Sequence, residues 1–244
     1  MPQTIPEPLP LEGTGNTREL GGYRTVGGGR TVPGRFLRSD GLQELTGEDN
    51  RSLYEYGVRC VLDLRSELEV GQQPDALQEG FVYRRFPLID HIQSDNMAGL
   101  LPATMEEMYC SLLDGSGDTL AAIFREMLRY PGDCVLFHCT AGKDRTGVVS
   151  MLLLALAGVD EDTIVADYAA TEALMKEKFN RQRAKLRTLM GIEVPEYVGW
   201  SRPESMERTL RHLRERYGGA KAYLIRIGLS EEECCRLRRQ ILEE

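Results

Sequence analysis

Three short apolar runs in the middle of the chain alternate with helix-like or loop sequence. They are VRCVLDLRS (58–66), FVYRRFPLID (81–90) and DCVLFHC (133–139). Compact apolar runs in this order are typical of parallel strands that lie buried between helices. Beyond Gly158 the apolar positions follow a helical period. The pattern predicts an α/β fold, with a central, mostly parallel sheet flanked by helices and a helical C-terminal section.

The same pattern divides the chain into three stretches, which we expect to form a single domain of residues 1–244. Four prolines among the first ten residues keep residues 1–12 out of a helix, so this stretch is predicted to be an extended N-terminal arm. Residues 13–158 hold the α/β core, and residues 159–244 hold the helical section. At 244 residues the chain is long enough to bury a substantial core.

Two local patterns predict helices in the first half of the chain. Thr46 is placed to cap the start of a helix that ends at Gly57. The long connection of residues 91–117 has helical character over residues 104–113. This connection is either a lid over a site or a packed helix, and we predict the packed helix because long loops in compact domains are only sometimes functional.

Composition and charge restrict the classes of partner and the compartment. The formal net charge is −8, and an acidic surface repels phosphate backbones, so no nucleic-acid partner is expected. The longest apolar run, residues 148–159, is too short to span a bilayer, and the N-terminus lacks the regions of a secretory signal. Six cysteines without disulfide-scaffold spacing favour a reducing compartment. We expect a cytoplasmic protein without stable membrane insertion; signal-independent export stays open.

The loop HCTAGKDRTG (138–147) lies between a predicted strand and a predicted helix. Such a loop turns backbone N–H groups and the positive end of the helix dipole toward one point, where an anion binds. Cys139 at this point is predicted to be a reactive thiol, because helix N-termini and nearby cations stabilise a thiolate. Arg145 is predicted to lie at the same point, where its guanidinium can bind two oxygens of a tetrahedral dianion. The two residues together indicate nucleophilic attack on phosphorus.

The remaining residues of the loop are predicted to bind the phosphoryl group or to shape its site. Gly142 permits a backbone conformation that points successive amides inward. Lys143 adds a positive charge at the rim, and Thr146 can donate its hydroxyl to the thiolate or to the departing phosphate. His138 is expected to orient the loop through a hydrogen bond rather than to act as a base. The predicted phosphate-binding residues are Thr140, Ala141, Gly142, Lys143, Asp144, Arg145 and Thr146.

Rival motifs do not fit the residues of this loop. A Walker loop needs a glycine where this chain has Phe137 and a Ser or Thr where it has Asp144. No paired Cys or His spacing indicates zinc, so no metal site is predicted. No serine-hydrolase elbow is present. A buried cysteine with a surface arginine nearby is the structural alternative, and the agreement of strand, glycine, basic residues and helix argues against it.

Cys139 and Arg145 in HCTAGKDRTG match the signature of the cysteine-dependent protein tyrosine phosphatase superfamily, which the chain therefore resembles. The GKDRTG half of the loop is similar to the bacterial and fungal tyrosine-phosphatase type B group. The resemblance covers nearly the whole chain, although it is specific at the loop and looser elsewhere. The further similar stretches are NTRELGGYRT (16–25), GRFLRSDGL (34–42), VLDLRSELEV (61–70) and ESMERTLRHLRERYGG (204–219).

The resemblance implies a phosphomonoester hydrolase with a tyrosine-phosphatase fold. The implied reaction passes through a phosphocysteine on Cys139 and releases inorganic phosphate, without metal or cofactor. Members of this group accept phosphotyrosine, phosphoserine or phosphothreonine and phosphoinositides, so a phosphoprotein or a phosphoinositide is the expected substrate. Lys143 resembles a loop lysine of tensin-like lipid phosphatases, and it is either a sign of lipid activity or a general attraction for phosphate.

The leaving oxygen needs a proton, so a general acid is expected on a separate loop beside the pocket. Asp90 in FPLIDH lies just past a predicted strand, much as tensin-like enzymes place their acid, and we predict that it has this role. Asp144 is the rival, because the type B group has an acid inside the loop. Asp144 could instead orient Arg145 or be a solvated charge.

Several further polar residues are expected to be structural. Asp63 and Arg65 end a predicted strand at the edge where α/β sites gather, and we predict that they form a buried ion pair. Arg38 is also expected to be structural. Anchors of the N-terminal arm are predicted at Asn16, Arg18, Gly21 and Gly22.

The predicted function is hydrolysis of phosphotyrosine in proteins, with phosphoserine and phosphothreonine as further substrates. Alternatives are a phosphoinositide phosphatase of the same fold, a catalytically silent phosphate-binding module and a rhodanese-like sulfurtransferase. Cys139, Arg145 and Asp90 argue against a silent module. The C-x5-R spacing followed by Thr–Gly favours phosphate over sulfur chemistry.

Overall fold

A computed structural model describes residues 1–88, 104–191, 193 and 199–242. In this part of the chain the sheet has five strands in the order β1-β2-β5-β3-β4. β1 pairs with β2 antiparallel, and the other neighbours are parallel. The predicted α/β fold with a mostly parallel sheet is thereby confirmed. The strands are β1 (Arg18–Glu19), β2 (Phe36–Ser39), β3 (Val58–Asp63), β4 (Val82–Arg85) and β5 (Cys134–His138).

Helices cover the sheet and form the C-terminal section. The predicted helical section after Gly158 is confirmed. In chain order the helices are α1 (Gly47–Tyr56), α2 (Glu67–Gln72), α3 (Met105–Gly115), α4 (Gly117–Met127), α5 (Asp144–Ala157), α6 (Glu161–Met190), α7 (Pro203–Tyr217), α8 (Ala220–Arg226) and α9 (Glu231–Ile241).

The inner strands are buried on both faces, which is why they read as apolar runs. Alternate side chains of a strand point to opposite faces of the sheet. Leu62 and Phe137 pack on one face in the larger core, whereas Val61 and Leu136 pack on the other face in a smaller core with Leu53 of α1. β4 is an edge strand with mostly exposed side chains.

α5 runs through the larger core and is apolar on all sides. Its residues from Thr146 to Leu154 are all buried. Helices of the C-terminal section contribute Leu213, Leu224 and Leu237 to the same core. α5 follows the cysteine-containing loop directly. The C-terminal helices that pack in the same core as α5 therefore also fix the position of the loop.

The local helix predictions are confirmed. Thr46 caps α1 through a reciprocal capping box with Asp49, and Gly57 ends the helix in the left-handed conformation with φ 106°. The helix predicted over residues 104–113 is α3, which runs Met105–Gly115 with Thr104 as its N-cap. Tyr109 of α3 is fully buried, so this part of the connection is a packed helix. The remainder of the connection up to residue 103 lies outside the described residues.

The N-terminal arm is joined to the rest of the chain by backbone and side-chain hydrogen bonds. Residues 1–12 contain no helix or strand. Leu9 N–H donates to Thr17 O at 2.8 Å, and Gln3 N–H donates to Thr163 Oγ1 at 3.1 Å. The arm therefore lies along the protein between the start of β1 and α6.

α6 is the longest helix of the C-terminal section, with 30 residues. It carries many charged side chains along its length. Among the described helices, none has both the length and the apolar composition needed to cross a membrane.

The central strand β5 delivers the loop to the carboxyl edge of the sheet. Its last residue, His138, pairs with Ser39 at the end of β2 and with Asp63 at the end of β3. Residues that follow β2 and β3 therefore flank the loop on its two sides. This edge is where ligands bind in parallel sheets.

Candidate active site

The turn from β5 into α5 brings Cys139 and Arg145 to the same end of a buried helix. Cys139 follows β5 directly, and Arg145 is the second residue of α5. Cys139 is buried, whereas Arg145 is half-buried. No described side chain caps the start of α5, so the N–H groups of its first turn point toward the loop. Thiol, guanidinium and helix N-terminus therefore lie together at the carboxyl edge of the sheet.

Gly142 occupies a position where any side chain would collide with its surroundings. Its φ is 65°, in the left-handed region. A Cβ atom here would lie 2.5 Å from the Ser39 carbonyl oxygen, 2.7 Å from Nδ2 of Asn16 and 2.7 Å from the Asp40 nitrogen. The loop therefore lies directly against the end of β2, and only glycine fits.

Two side chains hold carbonyl groups of the loop on the β2 side. Nδ2 of Asn16 donates to the carbonyl oxygens of Ala141 and Gly142, each at 3.2 Å. Nη2 of Arg38 also donates to the Gly142 carbonyl, at 2.7 Å. With its carbonyls bound there, the loop can turn its N–H groups toward an anion on the other side.

A buried carboxylate of α6 holds the arginines beneath the loop. Nε of Arg18 lies 3.1 Å from Asp167 Oδ1, and Arg38 pairs with the other oxygen. Burial, with the adjacent charge of Arg38, lowers the pKa of Arg18 to about 10. Burial alone would raise the pKa of Asp167, but the two arginines bring that pKa below its ordinary value. We call Arg18, Arg38 and Asp167 the Asp167 cluster.

The expectation that Asn16 and Arg18 anchor the N-terminal arm is wrong. Their side chains contact the loop and α6 instead, because β1 lies beside β2 and faces the helix. Arg38 is structural as expected, and it also contacts the loop directly. Nothing in the local sequence marks this role, which depends on an aspartate 129 positions further along the chain.

On the β3 side, Glu69 of α2 binds the guanidinium of Arg145. Nη1 and Nη2 of Arg145 donate to the two carboxylate oxygens, each at 2.7 Å. Thr140 Oγ1 donates to the same carboxylate at 2.5 Å. The carboxylate therefore links the beginning of the loop with the beginning of α5 and fixes the plane of the guanidinium.

Glu69 is a residue that sequence reasoning missed. It is the third residue of α2, and its side chain accepts from the N–H of Ser66 at 2.9 Å in a capping box. The S-x-x-E spacing in SELE is visible in the sequence, but it indicates only a helix start. Contact with Arg145 depends on the parallel pairing of β3 with β5, which brings α2 to the loop.

The Glu69–Arg145 pair shifts the pKa of both groups toward the charged forms. Burial would raise the pKa of Glu69, but the hydrogen bonds and charge of Arg145 bring it well below the usual range. Burial would lower the pKa of Arg145, but the hydrogen bonds of Glu69 and the charge of Cys139 raise it. The guanidinium is therefore a permanent cation next to the thiol.

Asp144 is held by Tyr109 of α3, which in turn contacts Tyr168 of α6. Tyr109 donates its O–H to Asp144 Oδ1 at 2.5 Å, and its oxygen lies 2.7 Å from that of Tyr168. Burial and the charge of Asp144 raise the pKa of Tyr109 well above its ordinary value, so Tyr109 keeps its proton. Asp144 is thus a hydrogen-bond acceptor at the start of α5.

Lys143 is not at the rim, where the sequence places it. It is only 1% exposed, and its Nζ lies 3.5 Å from Asp144 Oδ1. Thr146 is also buried, and within the described residues its Oγ1 has no hydrogen-bond partner. Thr140 and Ala141 are half-buried and form the outer part of the loop. Asp90, the predicted general acid, lies outside the described residues.

Behind the loop, His138 joins a buried ionic network. Its Nδ1 lies 3.2 Å from the Cys139 carbonyl oxygen, and its Nε2 lies 3.1 Å from Asp75 Oδ2. Arg65 lies 2.8 Å from Asp63 and 2.7 Å from Asp75, so the predicted ion pair of Asp63 and Arg65 is confirmed. His138 contacts the backbone of the loop, in accord with an orienting role.

Three side chains of this network could hold a metal ion, as judged by the distances between their ligand atoms in the described part of the chain. Atoms of Asp63, Asp75 and His138 lie within 4.8 Å of one another. The guanidinium of Arg65 already binds both carboxylates and supplies the positive charge that a metal would bring. The arrangement fits an ion-pair network that supports the loop.

The sheet is mostly parallel, a buried cysteine follows its central strand, and an arginine lies in the first turn of the next helix. This arrangement is that of the cysteine-dependent tyrosine phosphatase superfamily. The chain belongs to the tyrosine phosphatase family, whose sequence model matches residues 9–243. It is therefore a phosphatase.

Two relatives match most of the chain. A tyrosine-protein phosphatase of Nostoc commune is 34% identical over 213 residues, which cover 83% of this chain and 72% of the relative. The triple specificity protein phosphatase PtpB of Mycobacterium tuberculosis is 29% identical over 275 aligned positions, covering 92% of this chain and 99% of PtpB. A solved structure of TpbA from P. aeruginosa is 13% identical over 58% of this chain and 71% of TpbA, with a TM-score of 0.36.

Proposed function

We propose that the protein hydrolyses phosphotyrosine in proteins through a phosphocysteine on Cys139. The observation that carries this proposal is the loop itself, in which Arg145 is fixed by Glu69 beside the buried thiol. A thiolate between a helix N-terminus and a guanidinium is a nucleophile matched to an anionic phosphoryl group.

In the first step the Cys139 thiolate attacks phosphorus, and the bond between phosphorus and the tyrosine oxygen breaks. The N–H groups of the loop and the guanidinium of Arg145 bind the equatorial oxygens, where negative charge is spread in the transition state. In the second step water attacks phosphorus, its proton passes to the carboxylate that protonated the leaving oxygen in the first step, and the S–P bond breaks. The products are inorganic phosphate and the regenerated thiolate, which the hydroxyl of Thr146 can stabilise by donating a hydrogen bond.

We propose Asp90 rather than Asp144 as the acid that protonates the leaving oxygen. Asp144 accepts the O–H of Tyr109 and lies at a helix N-terminus beside Lys143. Asp144 is already a hydrogen-bond acceptor for Tyr109, whereas a general acid must donate a proton to the leaving oxygen. The proposal for Asp90 rests on its place in FPLIDH alone.

Phosphoproteins are proposed as substrates ahead of phosphoinositides. The lipid alternative depends on Lys143 as a headgroup contact, and this side chain is buried with its Nζ directed to Asp144. The relative PtpB is named a triple specificity protein phosphatase, which supports more than one kind of phosphorylated substrate here, and we propose phosphoserine and phosphothreonine as the further ones. A cytoplasmic location is also part of the proposal.

The test is phosphate release from matched phosphotyrosine and phosphothreonine peptides and from phosphoinositides. Cys139→Ser should abolish turnover of all of them, because serine at this position lacks a thiolate. Cys134→Ser is the matched control, since Cys134 is also buried and begins the strand that leads to Cys139. It should keep turnover in the folded protein.

Four results would contradict the proposal. Retained turnover in Cys139→Ser would remove the phosphocysteine mechanism. Binding of phosphate without turnover by the wild-type protein would indicate a silent module, and thiocyanate formation from thiosulfate and cyanide would indicate a sulfurtransferase. Faster turnover of phosphoinositides than of phosphotyrosine peptides would reverse the order of substrates.

A further inference from the structure

The second half of α6 is strongly basic in a chain that is acidic as a whole. Residues 178–192 contain five Lys or Arg and no Asp or Glu, whereas the formal net charge of the chain is −8. A local concentration of one charge against the net charge of the chain creates a separate field for partners of opposite charge. The support of the phosphate loop does not account for most of these side chains.

This basic part of α6 begins at the rim of the phosphate loop. Nζ of Lys178 lies 2.8 Å from Asp40 Oδ2, and the nitrogen of Asp40 is in contact with Gly142. Earlier in the same helix, Asp167 binds Arg38 beneath the loop. α6 therefore runs past the loop and continues beyond it from Lys178 to Met190, which is about 18 Å of helix.

Arg181 and Lys185 continue the face of α6 that carries Lys178. Positions three and seven residues apart lie on one side of a helix. Lys178 is buried against the end of β2, whereas Arg181 and Lys185 are exposed. In the described part of the chain, no carboxylate forms an ion pair with either of them. This face of α6 therefore carries the buried Lys178 near the loop and two exposed cations, Arg181 and Lys185, further along the helix.

We propose that Arg181 and Lys185 bind acidic residues that flank the phosphotyrosine of the substrate protein. The inference rests on the proposed function, because it needs a phosphoprotein held at the loop. The helix rises by about 10 Å from Lys178 to Lys185, which is the length of about three residues of extended peptide. Two acidic residues of the substrate that pass along this face would therefore be no more than about three positions apart if each binds one cation.

A peptide fits this face better than a lipid surface does. Basic helices that lie on membranes combine their charged face with an exposed apolar face. Among the described side chains of α6, no large hydrophobic residue is exposed. The acidic residues of a peptide need only these two cations as partners. The guanidinium of Arg181 can bind one of the peptide carboxylates through two N–H groups.

The test compares two phosphotyrosine peptides that differ only in three flanking Glu or Gln residues. For the wild-type protein at low salt, we expect kcat/KM to be about fivefold higher for the Glu peptide, as for two exposed ion pairs. The preference should appear in KM rather than in kcat and should fall as NaCl is added. In Arg181→Gln/Lys185→Gln the two peptides should become equal within about twofold.

Arg236→Gln/Arg238→Gln is the matched control, since it removes two exposed arginines from α9. It should leave the preference for the Glu peptide intact. Neither double variant should change turnover of para-nitrophenyl phosphate, which has no flanking residues. Failure of the wild-type protein to hydrolyse para-nitrophenyl phosphate would overturn the proposed function, independently of any peptide preference.

Equal kcat/KM for the two peptides in an active wild-type protein would overturn the inference itself. So would a preference that survives in Arg181→Gln/Lys185→Gln. A third contrary result combines two measurements. If the wild-type protein sediments with phosphatidylserine vesicles, and Arg181→Gln/Lys185→Gln loses this sedimentation but keeps the peptide preference, the two cations bind a membrane instead of a peptide.

Discussion

The two sides of the phosphate loop are held by ion pairs of different kinds. On the β2 side, the Asp167 cluster is almost fully buried, with side-chain exposures of 0% for Arg18 and Arg38 and 1% for Asp167. On the β3 side, the Glu69–Arg145 pair is partly exposed, at 33% and 19%. The first cluster binds loop backbone, whereas the second orients the side chain that we propose binds the phosphoryl group.

The difference separates stability from catalysis. Buried charges are costly when one partner is removed, because the remaining charge has no water to solvate it. A half-exposed pair contributes little to stability, but the orientation of its guanidinium determines how well the transition state is bound. Substitutions on the β2 side should therefore act mainly on folding, and those on the β3 side mainly on turnover.

Asp167→Asn should have the largest effect. It leaves Arg18 and Arg38 buried without a counter-charge, which we expect to lower the free energy of unfolding by about 3–5 kcal/mol. Urea unfolding at pH 7 measures the change. Asp162→Asn is the control, because Asp162 lies in the same helix with 72% of its side chain exposed, and it should unfold as the wild type does. Equal unfolding midpoints for Asp167→Asn and the wild type would contradict this role of the cluster.

Gly142→Ala should come next, and it affects both sides of the loop. The added Cβ would meet backbone atoms of β2 and Asp40 at 2.5 Å and 2.7 Å, and alanine is strained at φ 65°. We expect a loss of about 2–4 kcal/mol in the free energy of unfolding. Because the loop must move away from β2, turnover of an aryl phosphate should also fall. Gly28→Ala is a control for the backbone strain alone, since Gly28 has φ 87° and no described atom lies near its Cβ position.

Features of the site that depend on near neighbours are predicted from the sequence. Strand–loop–helix order, Cys139, Arg145 and the need for glycine at 142 follow from local pattern, because each depends on neighbours within about ten residues. The apolar runs predict the parallel sheet for the same reason. The Thr46 cap and the packed helix α3 are likewise local.

The supporting residues are not predicted because they depend on long-range pairing. Glu69 reaches Arg145 only because β3 and β5 are adjacent, and Asp167 reaches Arg38 only because α6 packs beside β2. The rim position predicted for Lys143 is wrong. The local sequence places this lysine in a loop, and it contains no sign that the side chain is buried with its Nζ near Asp144. Buried polar partners in general require the fold before they can be paired.

Glu69→Gln should lower turnover with little effect on folding. Glutamine keeps the capping box of α2 but removes the charge that orients Arg145, and we expect kcat/KM for an aryl phosphate to fall about 30-fold, equivalent to about 2 kcal/mol. The free energy of unfolding should change by less than about 1 kcal/mol. A loss of stability without a loss of turnover would erase the difference between the two sides.

The pH dependence sharpens the same prediction. The pKa of Glu69 is lowered in the folded protein. The carboxylate is therefore fully charged, and orients Arg145, at every pH above the ordinary glutamate pKa of about 4.3. This effect on turnover is lost only when the pH falls below that value. The activity ratio of wild type to Glu69→Gln should therefore be constant from about pH 5 to about pH 8. A ratio that changes across this range would show that another group controls the pair.

Tyr109→Phe should have the smallest effect, and it decides between the two candidate acids. It removes the O–H donated to Asp144, at a cost of about 1 kcal/mol in the free energy of unfolding. A reaction that depends on Asp144 should respond to this substitution, because the carboxylate loses the hydrogen bond from Tyr109. If Asp90 is the acid, the basic limb of the kcat profile should stay where it is in the wild type. If that limb moves to higher pH in Tyr109→Phe, the proton comes from Asp144, and the loop then holds both nucleophile and acid.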